Sequence, residues 1–346
     1  MLLRIRVPAR RQQGGPGDGF RALVLLLSLV LLLICVLVSL GVGSSTLPVS
    51  SVLHYLAHPD DSFDSYVVND LRVSRTIVGV LVGLALAVAG AVMQAVTRNP
   101  LAEPGLLGVN SGASLAIVVG AFLAGATSVR AQFLLAFLGA IVSTLVVYAI
   151  GFLGGGGASP ARLVLVGVAF SAISGSVVQG LLLRRPDVFD TFRSWDVGAL
   201  TRVDLPLTAV SVLVGLGMVG ALVSARGLTD LSLGDDVAAS LGTNLVLLRC
   251  SSLMSLALLC GAATAAAGPI AFVGLMVPLT GSWLMGPHRG WVIALSAVLG
   301  PVLVLLADVL GRLIARPAEM QVGLLTAFVG SPVLLWMAMR FKGRTV

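Results

Sequence analysis

The sequence predicts an all-α polytopic membrane protein, about ten spanning helices in one bundle, and three observations carry that prediction. Hydrophobic residues fill 57% of the 346 positions and charged residues only 11%, whereas a water-facing surface needs roughly a quarter of its residues charged. Mean hydropathy is +1.04. The apolar residues are gathered into runs near the length of about 20 residues that spans a hydrocarbon core.

The elements follow in order along the chain. Arg4, Arg6, Arg10, Arg11 and Arg21 precede an apolar run from Ala22 to Val42. That run exceeds the roughly 7–15 residues of a signal-peptide core and ends without an A-x-A site, so it reads as the first spanning helix. Hydropathy places helices at 21–42, 74–96, 110–125, 131–153, 162–183, 206–225, 250–266, 270–286, 291–311 and 322–340. The third, seventh and eighth are short or interrupted by glycine and proline. One transmembrane domain, 21–340, thus lies between a basic tail, 1–20, and a short tail, 341–346. Both ends are basic, the second through Arg340, Lys342 and Arg344, and an even number of crossings puts both in the cytoplasm. Of the 22 Lys and Arg residues this assigns 13 inside and nine outside. Asp60, Asp61, Asp64 and Asp70 fall in the first outer loop.

The residues also exclude function classes. A net charge of +7 suggests nucleic acid in a soluble chain, but here the basic residues punctuate apolar segments, as membrane topology requires. Cys35, Cys250 and Cys260 lie singly, without CxxC spacing, and read as small core residues. Gly79, Gly83, Ala87 and Ala91 share one face of the second helix, where another backbone can come close. The glycine run at 154–159 reads as a turn. A phosphate-cradling loop needs a lysine after its glycines, and the chain's only lysine is Lys342, so the chain by itself does not hydrolyse nucleotide. His54, His58 and His288 fall in predicted loops with no paired carboxylate or metal ligand. An ion-coupled carrier or channel, the alternative from another class, needs ionisable groups in mid-helix. Asp308 is the best candidate, and an i,i+4 ion pair with Arg312 accounts for it equally well.

Four collinear stretches then carry a resemblance: RVSRT (72–76), GAVMQAVTRNPLAEPGLLGVNSGA (90–113), GPIAFVGLMVP (268–278), and LLADVLGR with PAEMQVGLLTAFVGSPVLLW (305–336). Together they resemble the FecCD permease family, the membrane subunits of binding-protein-dependent ABC importers for iron-siderophores, haem and cobalamin. The resemblance implies a type II importer permease in the cell (plasma or inner) membrane. Its partners are a second permease, as homo- or heterodimer, two cytoplasmic ATPases that use ATP and Mg²⁺, an external binding protein and membrane lipid, with no nucleic acid. The chain itself holds no cofactor or metal and is not an enzyme. A ferric siderophore is the first expectation for cargo, with cobalamin or haem as alternatives.

Residues are assigned on that basis. In the turn formed by Arg98, Asn99, Pro100, Glu103, Pro104 and Gly105, the prolines and glycines force a reversal packed inside the assembly, and Arg98 and Glu103 either meet a partner or pair with each other. The polar stretch at about 226–249 contains DDVAASLG, a short helix with acids at its start and glycine at its end. Two short helices meeting at Gly242 are expected to form the lever that docks on the ATPase, through Asp235, Asp236, Ala238, Leu241 and Gly242. Arg72, Arg75 and Arg312, read as lacking enough nearby acids, match arginines that receive the binding protein. The stretch 184–204, with Phe189, Phe192 and Trp195, is expected to hold a short interfacial helix. Ser159, Pro160 and Ala161 match an inner gate, and the fifth and tenth helices are expected to line the pathway. Leu279, Thr280, Gly281 and Ser282 depart from the family pattern, which raises pairing with a different permease chain.

Overall fold

The computed structural model describes residues 17–43, 47–152, 160–202, 204–315 and 318–341. Among these it is all-helical, with seven helices long and apolar enough to cross a membrane and three shorter apolar ones. These are the ten predicted spans. They are α1 (Asp18–Gly41), α4 (Val73–Thr97), α5 (Val109–Ala124), α6 (Val129–Phe152), α7 (Pro160–Arg184), α9 (Leu207–Leu231), α11 (Leu245–Ala267), α12 (Val273–Met285), α13 (Arg289–Ile314) and α14 (Val322–Phe341). Four-residue α3 (Phe63–Tyr66) and a π-helical turn (Val67–Arg72) extend α4 at its start. Short helices α2 (Val49–Ala57), α8 (Pro186–Asp196) and α10 (Asp235–Ser240) lie at the bundle ends.

α4 forms the centre, packed against α13, α11, α12 and α9. Its composition explains why: apart from Leu86, Gln94 and Thr97 its inner half is alanine, valine, glycine and methionine, and it is almost wholly buried. The small face predicted on it packs within the chain. A Cβ at Gly83 would sit 2.6 Å from backbone atoms of Gly300 and Pro301, and one at Gly79 would be 2.8 Å from Leu305. Further along, Gly90 lies directly on the backbone of Gly274 in α12. Backbones this close gain dispersion contacts that a side chain would forbid. At the periphery α1 exposes Leu23, Leu26, Leu27 and Leu33, as a helix facing lipid should.

Two helices are short because each begins inside the bundle. Arg98 adopts a left-handed conformation (φ 52°), the chain turns back beside α4, and a 3-10 turn, Pro104–Leu107, delivers it to Gly108 (φ 75°) and α5. Glu103 shares a small cavity with Leu86, which lies about 16 Å along α4 from Thr97 at 1.5 Å per residue. α12 likewise starts at this depth, after left-handed Phe272 (φ 69°).

The link between the sixth and seventh spans is shorter than the expected 226–249. α9 continues to Leu231 and α11 begins at Leu245, where the Asn244 side chain accepts a hydrogen bond from Leu247 N at 3.0 Å. Buried Leu228 and Leu231 keep α9 helical past its last apolar turn, a packing effect that hydropathy does not register.

Candidate functional sites at the two ends of the bundle

At one end sits α10, held between α9 and α11. Gly234 (φ 112°) allows the sharp entry, Asp235 and Asp236 occupy the first turn, and Gly242 (φ 86°) ends the segment. Two short helices meeting at Gly242 do not form. A single short helix is bracketed by the ends of two long ones, because Asn244 starts α11 at once. Thr243 ties this link down by donating from Oγ1 to Asp230 Oδ2 at 3.0 Å. Of the residues expected to meet a partner, Asp236, Leu241 and Gly242 are exposed, whereas Ala238 is fully buried on the inner side of the helix. Leu233, Val237, Val246 and Leu247 join Leu241 in an exposed apolar ridge. Of these five only Leu241 was singled out from the sequence, though three leucines and two valines amid polar residues were the available signal.

Asp235 faces sideways and holds two arginines. Arg249 Nη2 donates to its Oδ2 at 2.6 Å, and Arg98 pairs with its Oδ1 at 2.9 Å. The alternative in which Arg98 pairs with Glu103 is therefore not adopted. The left-handed turn aims Arg98 at α10, while the chain through Pro100 carries Glu103 back into the bundle, where its carboxylate accepts from Phe272 N at 2.9 Å. Asn99 Oδ1 accepts from Leu101 N at 3.0 Å and closes the turn. Pro104 opens the 3-10 turn, with Gly105 next to Asn110. Ser159 lies outside the described residues; Pro160 begins α7 and Ala161 follows it.

At the opposite end Arg72, Arg75 and Arg312 line a cavity of about 580 Å³ together with Asp70, Arg202, Asp204 and Glu319. For Arg75 and Arg312 the expectation of too few nearby acids is overturned. Arg75 donates to Asp308 from Nε (2.9 and 3.0 Å) and from Nη2 (2.7 Å), and pairs with Glu319 at 2.5 Å. Arg312 pairs with fully buried Asp308 at 2.8 Å, the i,i+4 contact anticipated from spacing. Arg72 and Arg312 also donate to the last carbonyls of α1, Leu40 and Gly41 from the first, Ser39 from the second, and so satisfy groups a helix end leaves unpaired. Sequence spacing hid this arrangement because 233 positions separate Arg75 from Asp308.

Arg202 was not anticipated. It donates to Gln132 Oε1 and, at 3.4 Å, to Ala265 O, and burial pushes its guanidinium down to about 10. The expected short helix in 184–204 is α8, but Phe192 and Trp195 are buried in the bundle and only Phe189 is exposed. The departures at 279–282 also lie within the chain. Leu279 and Gly281 are buried, and Thr280 and Ser282 donate to carbonyls of their own helix at 2.9 Å.

Between the two ends α7 presents an unusual face for a spanning helix. Gly175, Ser176, Gln179 and Gly180 are exposed along it, and both glycines look onto open space. A glutamine side chain facing hydrocarbon leaves polar groups without partners, so this face suits a second protein surface or a wet path. Among the described residues no group of three or more His, Cys, Asp or Glu side chains is placed to hold a metal.

Comparison with known proteins gives a consistent picture. The profile of the FecCD transport family matches residues 31–340. The ferric enterobactin transport system permease protein FepD of Escherichia coli (strain K12) is 44% identical over 304 residues, 88% of this chain and 91% of that one. The Fe(3+)-citrate import system permease protein YfmD of Bacillus subtilis (strain 168) is 37% identical over 329 residues, 94% of this chain and 96% of the relative. A solved structure of a metal-chelate type ABC transporter in an inward-facing conformation superposes with a TM-score of 0.79 at 25% identity, covering 92% of this chain and 99% of the other.

Proposed function

The chain belongs to the FecCD transport family, the multi-pass permease subunits of ABC importers, and on that premise we propose that it forms half of the pathway for a ferric siderophore. The observation that carries the cargo is the 44% identity, across most of both chains, to a ferric enterobactin permease. Relatives named for haem and vitamin B12 transport stand at 35% and 33%, which makes those cargoes the alternatives.

Each surface then has an occupant. The α10 end faces the cytoplasm, with both termini, and its ridge of Leu233, Val237, Leu241, Val246 and Leu247 seats an ATPase that uses ATP and Mg²⁺. Asp236 and Gly242 border that seat, and Asp235 fixes α10 to the bundle. Two such ATPases serve two permeases. The α7 face bearing Ser176 and Gln179, with α14 and its exposed Phe328 and Ser331, meets the second permease across the pathway. The start of α7 at Pro160 and Ala161, with Ser159 before it, gates the inner mouth. The Arg72 end is extracellular and receives the binding protein, with Arg72, Arg75 and Arg312 setting its field. Nucleotide binding by the ATPases shifts which side is open. A lone ion-coupled carrier has less support, because its best candidate, Asp308, is neutralised by two guanidiniums.

The test is purification in detergent with the neighbouring gene products. A copurifying ATPase stimulated by binding protein loaded with a ferric siderophore is expected. Stimulation only by haem- or cobalamin-loaded protein would reassign the cargo, and an isolated chain would remove the importer reading.

A further inference from the structure

We propose that residues 98–103 are a strut that ties α10 to the start of α12 deep in the bundle, with Arg98 and Glu103 as its positioning residues. This rests on the reading of α10 as the ATPase-facing helix.

The outer anchor is the Asp235 carboxylate, shared by Arg98 at the end of α4 and Arg249 in α11. All three side chains are at least a quarter exposed, so these pairs add little stability. Their consequence is geometric, because a shift of α10 that keeps the Asp235 pair draws on Arg98.

The segment itself resists bending. Pro100 has a fixed φ, Asn99 closes the turn through its side chain and through Ala102 N to Asn99 O at 3.1 Å, and Ala102 is buried. Pro104 then stiffens the exit.

The inner anchor is Glu103, whose carboxylate takes the Phe272 N–H just ahead of α12. A helix that begins inside the bundle has unpaired N–H groups and a positive end, both of which a carboxylate satisfies. Phe272 is a non-glycine residue in the left-handed region, a conformation that persists only where its surroundings impose it. Its ring in turn lies against Gly330 of α14, where any side chain would collide with it. A continuous set of contacts thus runs from α10 through Arg98, Glu103 and Phe272 to α14, the helix placed beside the pathway above. A cavity of about 20 Å³, room for about one water, adjoins Glu103 and is walled by Cys260, Asn110 and Thr264.

Cys260 makes the strut testable in the intact permease–ATPase complex in lipid nanodiscs, with Cys35 and Cys250 changed to serine. Its labelling by N-ethylmaleimide is timed without nucleotide and with ATP plus vanadate, and the ratio of the two rates is the readout. With the native strut the ratio should differ from one by about tenfold, within the usual range for linked sites. Glu103→Ala and Arg98→Ala should each bring it below about twofold, while Glu103→Gln and Arg98→Lys, which keep the acceptor and the charge, should restore most of it. A copurified ATPase shows that each variant is assembled. A ratio near one with the native strut, or an unchanged ratio in both alanine variants, overturns the proposal. Absence of any copurified ATPase overturns instead the assignment of α10, and the strut's driver with it.

Discussion

Asp308→Asn removes one charge and almost no volume from the buried cluster at the Arg72 end. Asp308 is fully buried, takes three hydrogen bonds from Arg75 and pairs with Arg312; the two arginine side chains are 11% and 2% exposed. Without the carboxylate both guanidiniums stay desolvated, and Glu319, one third exposed, is the remaining acid in contact with Arg75. Removing one partner of a buried pair costs about 3–5 kcal/mol. Two orphaned cations push toward the upper end, and the adjoining 580 Å³ cavity, which admits water, pulls the other way, so about 4 kcal/mol is expected. Reversible unfolding in mixed micelles, followed by tryptophan fluorescence, measures the loss. The triple variant Arg75→Met, Asp308→Leu, Arg312→Met, which deletes charge of both signs together, should recover part of it, the remainder being the Ser39 groups that Arg312 no longer satisfies. A loss below about 1 kcal/mol for Asp308→Asn would place the cluster in the range of solvated surface pairs and refute the reasoning.

Other outcomes follow from the same geometry. Gly90→Ala drives a methyl group into the backbone of Gly274 and should cost at least about 1–3 kcal/mol, whereas Gly175→Ala, facing open space, should stay within about 0.5 kcal/mol; thermal melting in detergent compares them. Leu241→Asp or Leu233→Asp should abolish ATPase copurification without changing the melting temperature, and full retention in both variants would count against the ridge. Reversing Arg72 and Arg312 to glutamate should weaken binding-protein docking and flatten its salt dependence. Because both side chains are buried it should also lower the yield of folded protein; docking undiminished at low salt would remove the role.

Hydropathy made all ten spans legible because lipid contact imposes composition over whole helices, and most boundaries fall within a few residues of the structure. The failures lie where packing outweighs composition. α9 and α11 run on past their apolar stretches because Leu228, Leu231 and Leu248 find buried seats there. The i,i+4 pair Asp308–Arg312 was readable from spacing alone, since helical geometry fixes such neighbours. Arg75–Asp308, Glu103–Phe272 and Arg98–Asp235 join distant segments and depend on the assembled bundle, so no local pattern announces them. Arg98 and Glu103 were visible as charges out of place; what they hold was not.

The close approach of α4 to both α13 and α12 bears on how such a subunit can move. Where two backbones touch at Gly83–Gly300 and again at Gly90–Gly274, no cushion of side chains is left to rearrange, and sliding by even one residue would bring a β-carbon against a carbonyl. The three helices are locked in register as a keel. Any movement against a neighbouring chain would then tilt that keel whole, with the give concentrated in the flank of α7, where a Cβ at Gly175 or Gly180 would meet no other atoms.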